Sequence, residues 1–318
     1  MAEQKIIAVV GATGAQGGGL VRAIAADPGS GFTARAITRD PSSDAAKALA
    51  ALPNVEVVQG DLEDPASIDA AFAGAHGAFC VTFFWVDFSP ATEMRHAQTM
   101  AAAAKSAGVH HVVWSTLEDT RTTLPLDDER MPVLQGQYNV PHFDGKEEAD
   151  AAFHEAGVPT TFLRTAFYWE NFIYFGAGPA RGEDGVLALT MPMGDKRLPS
   201  MASEDIGKIA YGIFKRGDKF IGKTVSVAGE HLTGAQMAEK FSKALGEEVR
   251  YNDVDPDMYR GFGFPGADEM GNMFQWKRDF EAEYVGARDL EVARSLDPEL
   301  KDFDAWLADF RSRVRAGT

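Results

Sequence analysis

The stretch KIIAVVGATGAQGGGLVRAIAAD, residues 5–27, decides the fold of this chain. Its apolar run breaks into a glycine-rich turn, and the turn leads into a helical pattern. Gly11, Gly14 and Gly17 stand at GxxGxxG spacing between a predicted strand and a predicted helix. Glycine permits a tight turn and the close approach of a pyrophosphate, which the free N–H groups of the helix start can bind. This context predicts a dinucleotide-binding loop, and the alternative is a plain turn from strand to helix.

Short apolar runs alternate with alanine-rich helical segments up to about residue 163. We predict strands over residues 5–10, 33–38, 55–59, 77–84, 110–115 and 159–164. We predict helices over residues 17–26, 43–52, 65–73, 89–107 and 142–156. Strands without polar alternation, separated by helices, are typical of a parallel sheet that is covered on both faces. Together with the glycine-rich first turn, this order predicts an α/β fold with a doubly wound parallel sheet, the Rossmann fold.

The alternation of strands and helices becomes irregular after residue 165, where aromatic segments and loops rich in glycine and proline follow. Further elements are predicted as helices over 204–216, 234–245 and 299–315 and a strand over 223–228. We therefore expect a dinucleotide-binding domain over residues 1–164 and a smaller α/β lobe over 165–318 that serves a substrate or a partner. Residues 203–229 are a candidate segment of the second half that packs with the first domain.

The composition excludes several classes of function. The 318 residues carry a formal net charge of −16, which repels a nucleic-acid backbone, so no direct nucleic-acid binding is expected. The longest apolar stretch, 71–86, is shorter than the roughly 18 uninterrupted residues that a membrane span needs. The single cysteine, Cys80, excludes an internal disulfide framework. His110 and His111 point to opposite faces of a strand, so no metal site is predicted. A cytoplasmic protein without a membrane segment is expected.

The second predicted strand ends in AITRDP, residues 36–41, which bears on the choice of dinucleotide. Arg39 lies 22 residues beyond Gly17, where an NAD-specific site would place an acidic residue for the ribose hydroxyls. A guanidinium at this point suits a 2′-phosphate, because it can form a planar bidentate contact. The sequence therefore favours NADP(H). In the alternative, Arg39 is a surface residue whose positive field is reduced by Asp40 and Asp44.

Five segments together resemble the NmrA-like family, an atypical branch of the short-chain dehydrogenase/reductase superfamily. They are GATGAQGGG, VVQGDLED, HFDGKEEADAAF, LRTAFYWENF and GFPGADEMGNMF. The likeness runs from residue 5 to about residue 307, and it is strongest to the NADP(H)-sensing NmrA-like proteins known from animals. The glycine loop is common to the whole superfamily, whereas HFDGK and GFPGA are much more specific.

This resemblance implies a two-lobed protein that binds NADP(H). The contacts it implies for the pyrophosphate and its loop are Gly11, Thr13, Gly14, Gln16 and Gly17, with Arg39 on the 2′-phosphate. Those it implies for the adenine and the path to the nicotinamide are Asp61, Leu62, Thr82, Phe83, Phe84, Trp85, Lys146, Tyr168 and Asn171. In the alternative, Asp61 caps a loop and the apolar members of this set pack in the core.

The resemblance raises the question of a catalyst, because typical superfamily members use Ser, Tyr and Lys. Their tyrosine lies four residues before the lysine, so that both side chains share one helix face. Here Lys146 has His142 at that position, and Tyr138 lies a further turn back. Ser115, at the end of the fifth predicted strand, occupies the position expected of the serine. The tyrosine that would donate the proton is missing.

Two accounts of this gap follow. In the favoured one, the protein binds NADP(H) as a redox sensor that acts through a protein partner, and Lys146 holds the ribose. In the alternative, it is an NADPH-dependent oxidoreductase for a quinone or other small carbonyl compound, with Lys146 or His142 as the acid. This alternative resembles isoflavone-reductase-like relatives, which work with lysine but no tyrosine. In a purely structural role, His142 packs at the start of a helix, and Lys146 is a solvated lysine paired with Asp150. The oligomeric state is left open.

Overall fold

A computed structural model describes residues 4–316 and shows three β-sheets flanked by helices. Its strands are β1 (Lys5–Val9), β2 (Phe32–Thr38), β3 (Val55–Gln59), β4 (Gly77–Cys80), β5 (His111–Thr116), β6 (Thr160–Arg164), β7 (Phe167–Tyr168), β8 (Ala180–Arg181), β9 (Leu187–Met191), β10 (Arg197–Met201), β11 (Thr224–Ser226), β12 (Glu230–Thr233) and β13 (Val249–Asp253). Residues 1–3 and 317–318, at the ends of the two predicted domains, lie outside the described residues.

The helices cover both faces of the largest sheet and build much of the second half. They are α1 (Ala15–Ala26), α2 (Asp44–Ala50), α3 (Pro65–Phe72), α4 (Pro90–Ser106), α5 (Pro141–Glu148), α6 (Asp150–Ala156), α7 (Asn171–Tyr174), α8 (Ser203–Lys215), α9 (Gly234–Leu245), α10 (Pro256–Arg260), α11 (Ala267–Asp279), α12 (Glu281–Gly286), α13 (Leu290–Leu296) and α14 (Phe303–Ala316). None of these helices is both long and apolar enough to cross a bilayer.

The largest sheet has seven strands in the order β11-β6-β5-β4-β1-β2-β3, and every neighbouring pair is parallel. The order reverses direction at β1, as in a doubly wound sheet, so the predicted Rossmann-type fold is confirmed. The outermost strand comes from late in the chain, because Thr224 of β11 pairs with Phe162 of β6. The strand predicted over 223–228 is therefore part of the central sheet.

Helix α8 returns to the central sheet by packing directly on α1. A β-carbon at Gly207 of α8 would overlap the backbone of α1 at Leu20, and one at Gly19 would overlap the carbonyl of Glu204. The two helices thus meet backbone to backbone, which only residues without a side chain allow. An ion pair of 2.9 Å between Arg22 and Glu204 closes the same contact.

The second half contains two small sheets, β12-β10-β7 and β13-β9-β8, around an aromatic core. Trp169, Phe172, Phe303 and Trp306 are buried together there, with ring centroids 5.3 to 6.4 Å apart. The sequence patterns did not predict β9, β10, β13 or α11 to α13, because these elements are short or lie in segments rich in glycine and proline. Burial against the aromatic core stabilises them despite this composition.

Two predicted boundaries differ from the structure near the sheet edge. Strand β4 ends at Cys80 rather than at residue 84, and the residues after it leave the sheet. The departing segment is held by Thr82, whose hydroxyl donates to Glu93 at 2.5 Å. The helix predicted over 142–156 is divided at Ala149, although this residue keeps helical dihedral angles of −69° and −15°.

Candidate functional site

A cleft lies at the carboxyl edge of the central sheet, where ligands bind in doubly wound folds. Gln16 follows β1 there, Thr82 follows β4, and Thr165 follows β6. The lining residues are Gln16, Thr82, Phe83, Phe84, Trp85, Leu117, His142, Phe143, Lys146, Thr165, Ala166, Phe167, Tyr168, Asn171, Met270, Met273 and Lys277. The cleft therefore joins the strand ends to α5 and to α11 of the second half.

The glycine loop lies at one end of this edge. Gly11 has a φ of +66°, a left-handed conformation that favours glycine, and its carbonyl accepts the N–H of Gly14 at 2.9 Å. A β-carbon at Gly17 would lie 2.5 Å from that same carbonyl oxygen. Helix α1 has neither a side-chain cap nor an acidic residue in its first turn. Its N-terminus is therefore suited to an anion.

Gln16 connects the loop to the far wall of the cleft. Its Nε2 donates to the hydroxyl of Tyr168 at 2.7 Å, and Thr165 lies 3.2 Å from the same hydroxyl. Burial raises the pKa of Tyr168 to about 12, so the phenol stays neutral at physiological pH. The Oε1 atom of Gln16 is buried without a hydrogen-bond partner among residues 4–316. An unsatisfied acceptor of this kind fits a donor group on a bound ligand.

The residues predicted for the adenosine end lie further along the same edge. Arg39 follows β2 with an exposed side chain, and within residues 4–316 its guanidinium makes no hydrogen bond. Asp61 follows β3, and its carboxylate accepts the N–H of Glu63 at 3.1 Å. Leu62 is half-buried against the neighbouring core. The exposed Thr13 lies in the glycine loop. Asp61 thus caps its loop, as in the alternative given above.

Lys146 is fully engaged by other side chains. Its Nζ donates to Thr82 Oγ1 at 2.5 Å and to Glu93 Oε2 at 2.7 Å, with the carbonyl of Thr82 at 3.4 Å. Glu93 is buried on α4, so this is an ion pair withdrawn from water. The expected alternative partner, Asp150, instead accepts the indole N–H of Trp114 at 2.7 Å. Lys146 therefore fixes the segment after β4 to α4 and α5.

His142 forms a second buried pair, with Glu269 of α11. The distance from His142 Nδ1 to Glu269 Oε1 is 2.7 Å, and the backbone N–H of His142 donates to the same oxygen at 2.6 Å. The imidazole packs against Trp85, with ring centroids 4.9 Å apart. Asp144 holds the start of α5 by accepting the N–H groups of Asn139 and Val140 at 2.9 and 3.0 Å. The pair of His142 and Glu269 thus joins α5 to α11, and residues of both helices line the cleft.

One predicted catalytic position, Ser115, is not brought into the cleft, and Tyr138 does not reach it either. Ser115 is buried within β5, and the cleft is reached two residues later by Leu117. The hydroxyl of Tyr138 lies 3.1 Å from Glu148 and is absent from the lining. Asn171, at the start of α7, does line it, as do Thr82, Phe83 and Tyr168. Within residues 4–316 there is no group of three or more His, Cys, Asp or Glu side chains that could hold a metal ion.

The sequence profile of the NmrA-like family matches residues 3–307. This chain belongs to the NmrA-like family. The NmrA-like oxidoreductase FrzB of a Cladobotryum species is 29% identical to it, with 90% of this chain and 88% of FrzB covered. The nitrogen metabolite repression protein nmr of Neurospora crassa is 30% identical, with 92% of this chain and 64% of nmr covered.

Solved structures of NmrA, described as a negative transcriptional regulator, share the architecture of this NmrA-like protein. The complex of NmrA with NADP has a TM-score of 0.80 at 26% identity and covers 99% of this chain and 98% of NmrA. NmrA has also been solved in complex with NAD, with a TM-score of 0.79. The family resemblance stated from the sequence motifs is thereby confirmed.

The sequence patterns did not identify two side chains of this NmrA-like site, Glu269 and Lys277. Both lie on α11: Glu269 falls within residues 259–272, which the sequence pattern presents as a loop rich in glycine, and Lys277 follows that segment, where no element is predicted. A signal was present, since Met270, Met273 and Lys277 share the spacing i, i+3, i+7 of one helix face. A lysine at such an apolar position marks a candidate for a role other than packing.

Proposed function

We propose that this NmrA-like protein is an NADP(H)-dependent oxidoreductase that reduces a quinone or another small carbonyl compound. The observation that carries the proposal is the cleft beside the glycine loop, in which aromatic walls enclose a small number of ionisable groups. Small-molecule sites have this composition, with apolar surface for affinity and a few polar groups for orientation. Relatives such as FrzB are named as oxidoreductases, which supports the same class of reaction.

The loop residues fit a bound dinucleotide. The uncapped start of α1 suits the pyrophosphate, and the unsatisfied Oε1 of Gln16 can accept a hydrogen bond from the ligand. The exposed guanidinium of Arg39 is available for a 2′-phosphate, which is why we propose NADP(H) over NAD(H). The residues that we propose around the dinucleotide are Gly11, Thr13, Gly14, Gln16, Gly17, Arg39, Asp61, Leu62, Thr82, Phe83, Tyr168 and Asn171.

The reduced nicotinamide supplies a hydride when it is bound. The side chains of the cleft then have to orient the substrate, exclude water and provide a proton for its oxygen. Lys146 is not suited to provide that proton, because Glu93 and Thr82 already occupy its ammonium group. We assign to Lys146 the positioning of Thr82, and to His142 the holding of α11 through Glu269.

Titration calorimetry with NADPH, NADP⁺, NADH and NAD⁺, followed by NADPH oxidation assays, tests this function. The substrate in these assays is menadione, a flat quinone, and simple aldehydes are compared with it. We expect NADPH to bind more tightly than NADH, and menadione to be reduced at a rate well above background. A protein that binds none of the four dinucleotides would refute the proposal.

A second candidate is a redox sensor that acts through a protein partner, supported by the regulator NmrA among the structural neighbours. Exposed apolar side chains near the cleft offer a surface for such a partner, including Phe83 at 61% and Val86 at 71% exposure. A sensor must bind its partner differently with NADPH and NADP⁺, because a ligand shifts an equilibrium only by differential affinity. Strong dinucleotide binding without turnover, together with cofactor-dependent sedimentation, would favour this candidate.

A further inference from the structure

Lys277 is a buried cation that faces the cleft from α11. Its side chain is 1% exposed and makes no hydrogen bond or ion pair with any residue between 4 and 316. Three aromatic rings surround its Nζ, at centroid distances of 5.2 Å for Phe143, 5.7 Å for Phe167 and 5.3 Å for Tyr284. The ammonium group is thus held by ring faces alone and points into the space that a ligand would fill.

Burial of an unpaired charge is costly, and the neighbouring cations avoid it. Lys146 is paired with Glu93 at 2.7 Å, and Arg288 with Glu118 at 2.7 Å. Cation–π contacts offset only part of the lost hydration of an ammonium group. A buried lysine without an acidic partner among residues 4–316 is explained by a ligand that it binds.

The shape and chemistry of the surroundings indicate the ligand. Phe143, Phe167 and Trp85 give the cleft flat apolar walls, and Met270 and Met273 extend them along α11. The ammonium group supplies hydrogen-bond donors and no acceptor, so it selects an oxygen that carries negative charge or gains it during reaction. A conjugated carbonyl compound meets both conditions.

We infer that Lys277 binds the carbonyl oxygen of a flat conjugated substrate, such as a quinone, and gives this oxygen its proton. The inference rests on the proposed oxidoreductase function and names the substrate class and a catalytic residue for it. The reduced nicotinamide donates a hydride to the substrate, the Nζ–H bond of Lys277 breaks, and an O–H bond forms. The neutral amine then regains a proton from water, so each turnover consumes one hydride and one proton.

The charges around Lys277 suit this task. The pKa of Lys277 is lowered to about 7, mainly by burial and also by the guanidinium of Arg288, while Glu118 opposes both. The ring of Tyr284 lies against the ammonium group of Lys277. The other ionisable groups that line the same cleft are His142, Lys146 and Tyr168. A proton donor works best when its pKa lies near the working pH.

Hydrogen bonds to other segments hold helix α11, and with it Lys277, in place. The Nδ2 of Asn272 donates to the carbonyls of Asn139 and Pro132 at 2.7 and 2.8 Å, and the Nε2 of Gln275 donates to the carbonyl of Arg130 at 2.7 Å. With the pair between α5 and α11, these bonds fix the helix before any ligand binds. Such preorganisation is what a proton donor in a site requires.

The first arm of the test measures stability and needs no activity. We expect Lys277→Met to raise the melting temperature, and to raise it more at about pH 6 than at about pH 9, since the cost of burying the amine grows as the pH falls from about 10.5 and is complete below about 7. The matched control is Lys208→Met, which should lower the melting temperature because it leaves the buried Asp205 without its partner at 2.7 Å. Equal destabilisation by Lys277→Met at both pH values would show a structural role and overturn the inference.

The second arm measures menadione binding to the NADP⁺ complex, in which no turnover can occur. We expect Lys277→Met to weaken menadione binding about tenfold or more, and Lys277→Arg to retain part of the affinity. In NADPH oxidation assays, both variants should lower kcat by about 100-fold, because methionine has no proton to donate and a guanidinium does not release its proton. NADP⁺ affinity should stay at the wild-type value in both.

The outcomes separate the inference from the proposed function. If wild-type protein does not reduce menadione but binds it through Lys277, the oxidoreductase proposal fails and the oxygen site stands. If wild-type protein reduces menadione and Lys277→Met leaves kcat and menadione affinity unchanged, the inference fails and the oxidoreductase proposal stands.

Discussion

The Oε1 atom of Glu269 accepts two hydrogen bonds from His142, one from the backbone N–H at 2.6 Å and one from the ring Nδ1 at 2.7 Å. Both side chains are buried, and they are 127 residues apart in the chain. We expect Glu269→Ala to destabilise the protein by about 1.5–3 kcal/mol, because two donors lose a charged acceptor. Urea denaturation measures this loss. Glu269→Gln, which keeps the shape and one acceptor, should lose less, and equal losses would contradict the prediction.

The glycine loop allows binding and folding to be separated. A β-carbon at Gly14 would lie 3.2 Å from the carbonyl oxygen of Gly11, whereas one at Gly17 would lie 2.5 Å from it. We expect Gly14→Ala to fold normally and to lose dinucleotide affinity, and Gly17→Ala to lose stability as well. Calorimetry and thermal melting measure the two effects. Unchanged NADPH affinity in a folded Gly14→Ala variant would refute the phosphate-loop assignment.

Arg39 should distinguish the two dinucleotides. We expect Arg39→Ala to weaken NADPH about tenfold or more and to leave NADH affinity nearly unchanged, because only NADPH has the 2′-phosphate. Lys47→Ala is the matched control, since it removes an exposed cation from the next helix, α2. Similar losses for both dinucleotides, measured by calorimetry, would show that Arg39 does not contact the 2′-phosphate.

The pair of Lys146 and Glu93 should respond to removal of either partner. Lys146→Met leaves a buried carboxylate with Thr82 alone, and we expect a loss of about 3 kcal/mol in unfolding free energy. Adding Glu93→Gln to this variant should recover part of the loss, because no buried charge then remains. A double-mutant cycle measures the coupling. Additive effects would mean that the two side chains do not interact.

Asp150 should make stability depend on pH. Its pKa is raised from 3.8 to about 7, mainly by burial and also by Glu147, against the opposing effects of Thr116, Trp114 and Arg164. Because the folded state favours the protonated carboxyl, the stabilising contribution is complete below about pH 4 and is lost as the pH rises through about 7. Asp150→Asn should therefore stabilise the protein at about pH 8 and have little effect at about pH 4, as measured by urea denaturation.

Features that depend on neighbours in sequence were predicted correctly. The first six strands of the central sheet and the glycine turn follow from local apolar runs and glycine spacing, and the structure contains them all. The partner of Lys146 was not predictable in this way, because Glu93 lies 53 residues away on another helix. Helix α11 was missed because Pro265, Gly266 and Gly271 are typical of a loop, and Lys277 interrupts its apolar face at the point that we propose is functional.

The return of α8 and β11 to the central sheet constrains the order in which a nascent chain can fold. When six of the seven strands have left the ribosome, the face of α1 that receives Gly207 is still uncovered, and the edge of β6 has no neighbour. Ile206, Ile209 and Ile213, which complete the core on that face, are made later. A nascent chain that ends before residue 203 therefore has the glycine loop but not a closed core, and translation must proceed through β11 before the central sheet is complete.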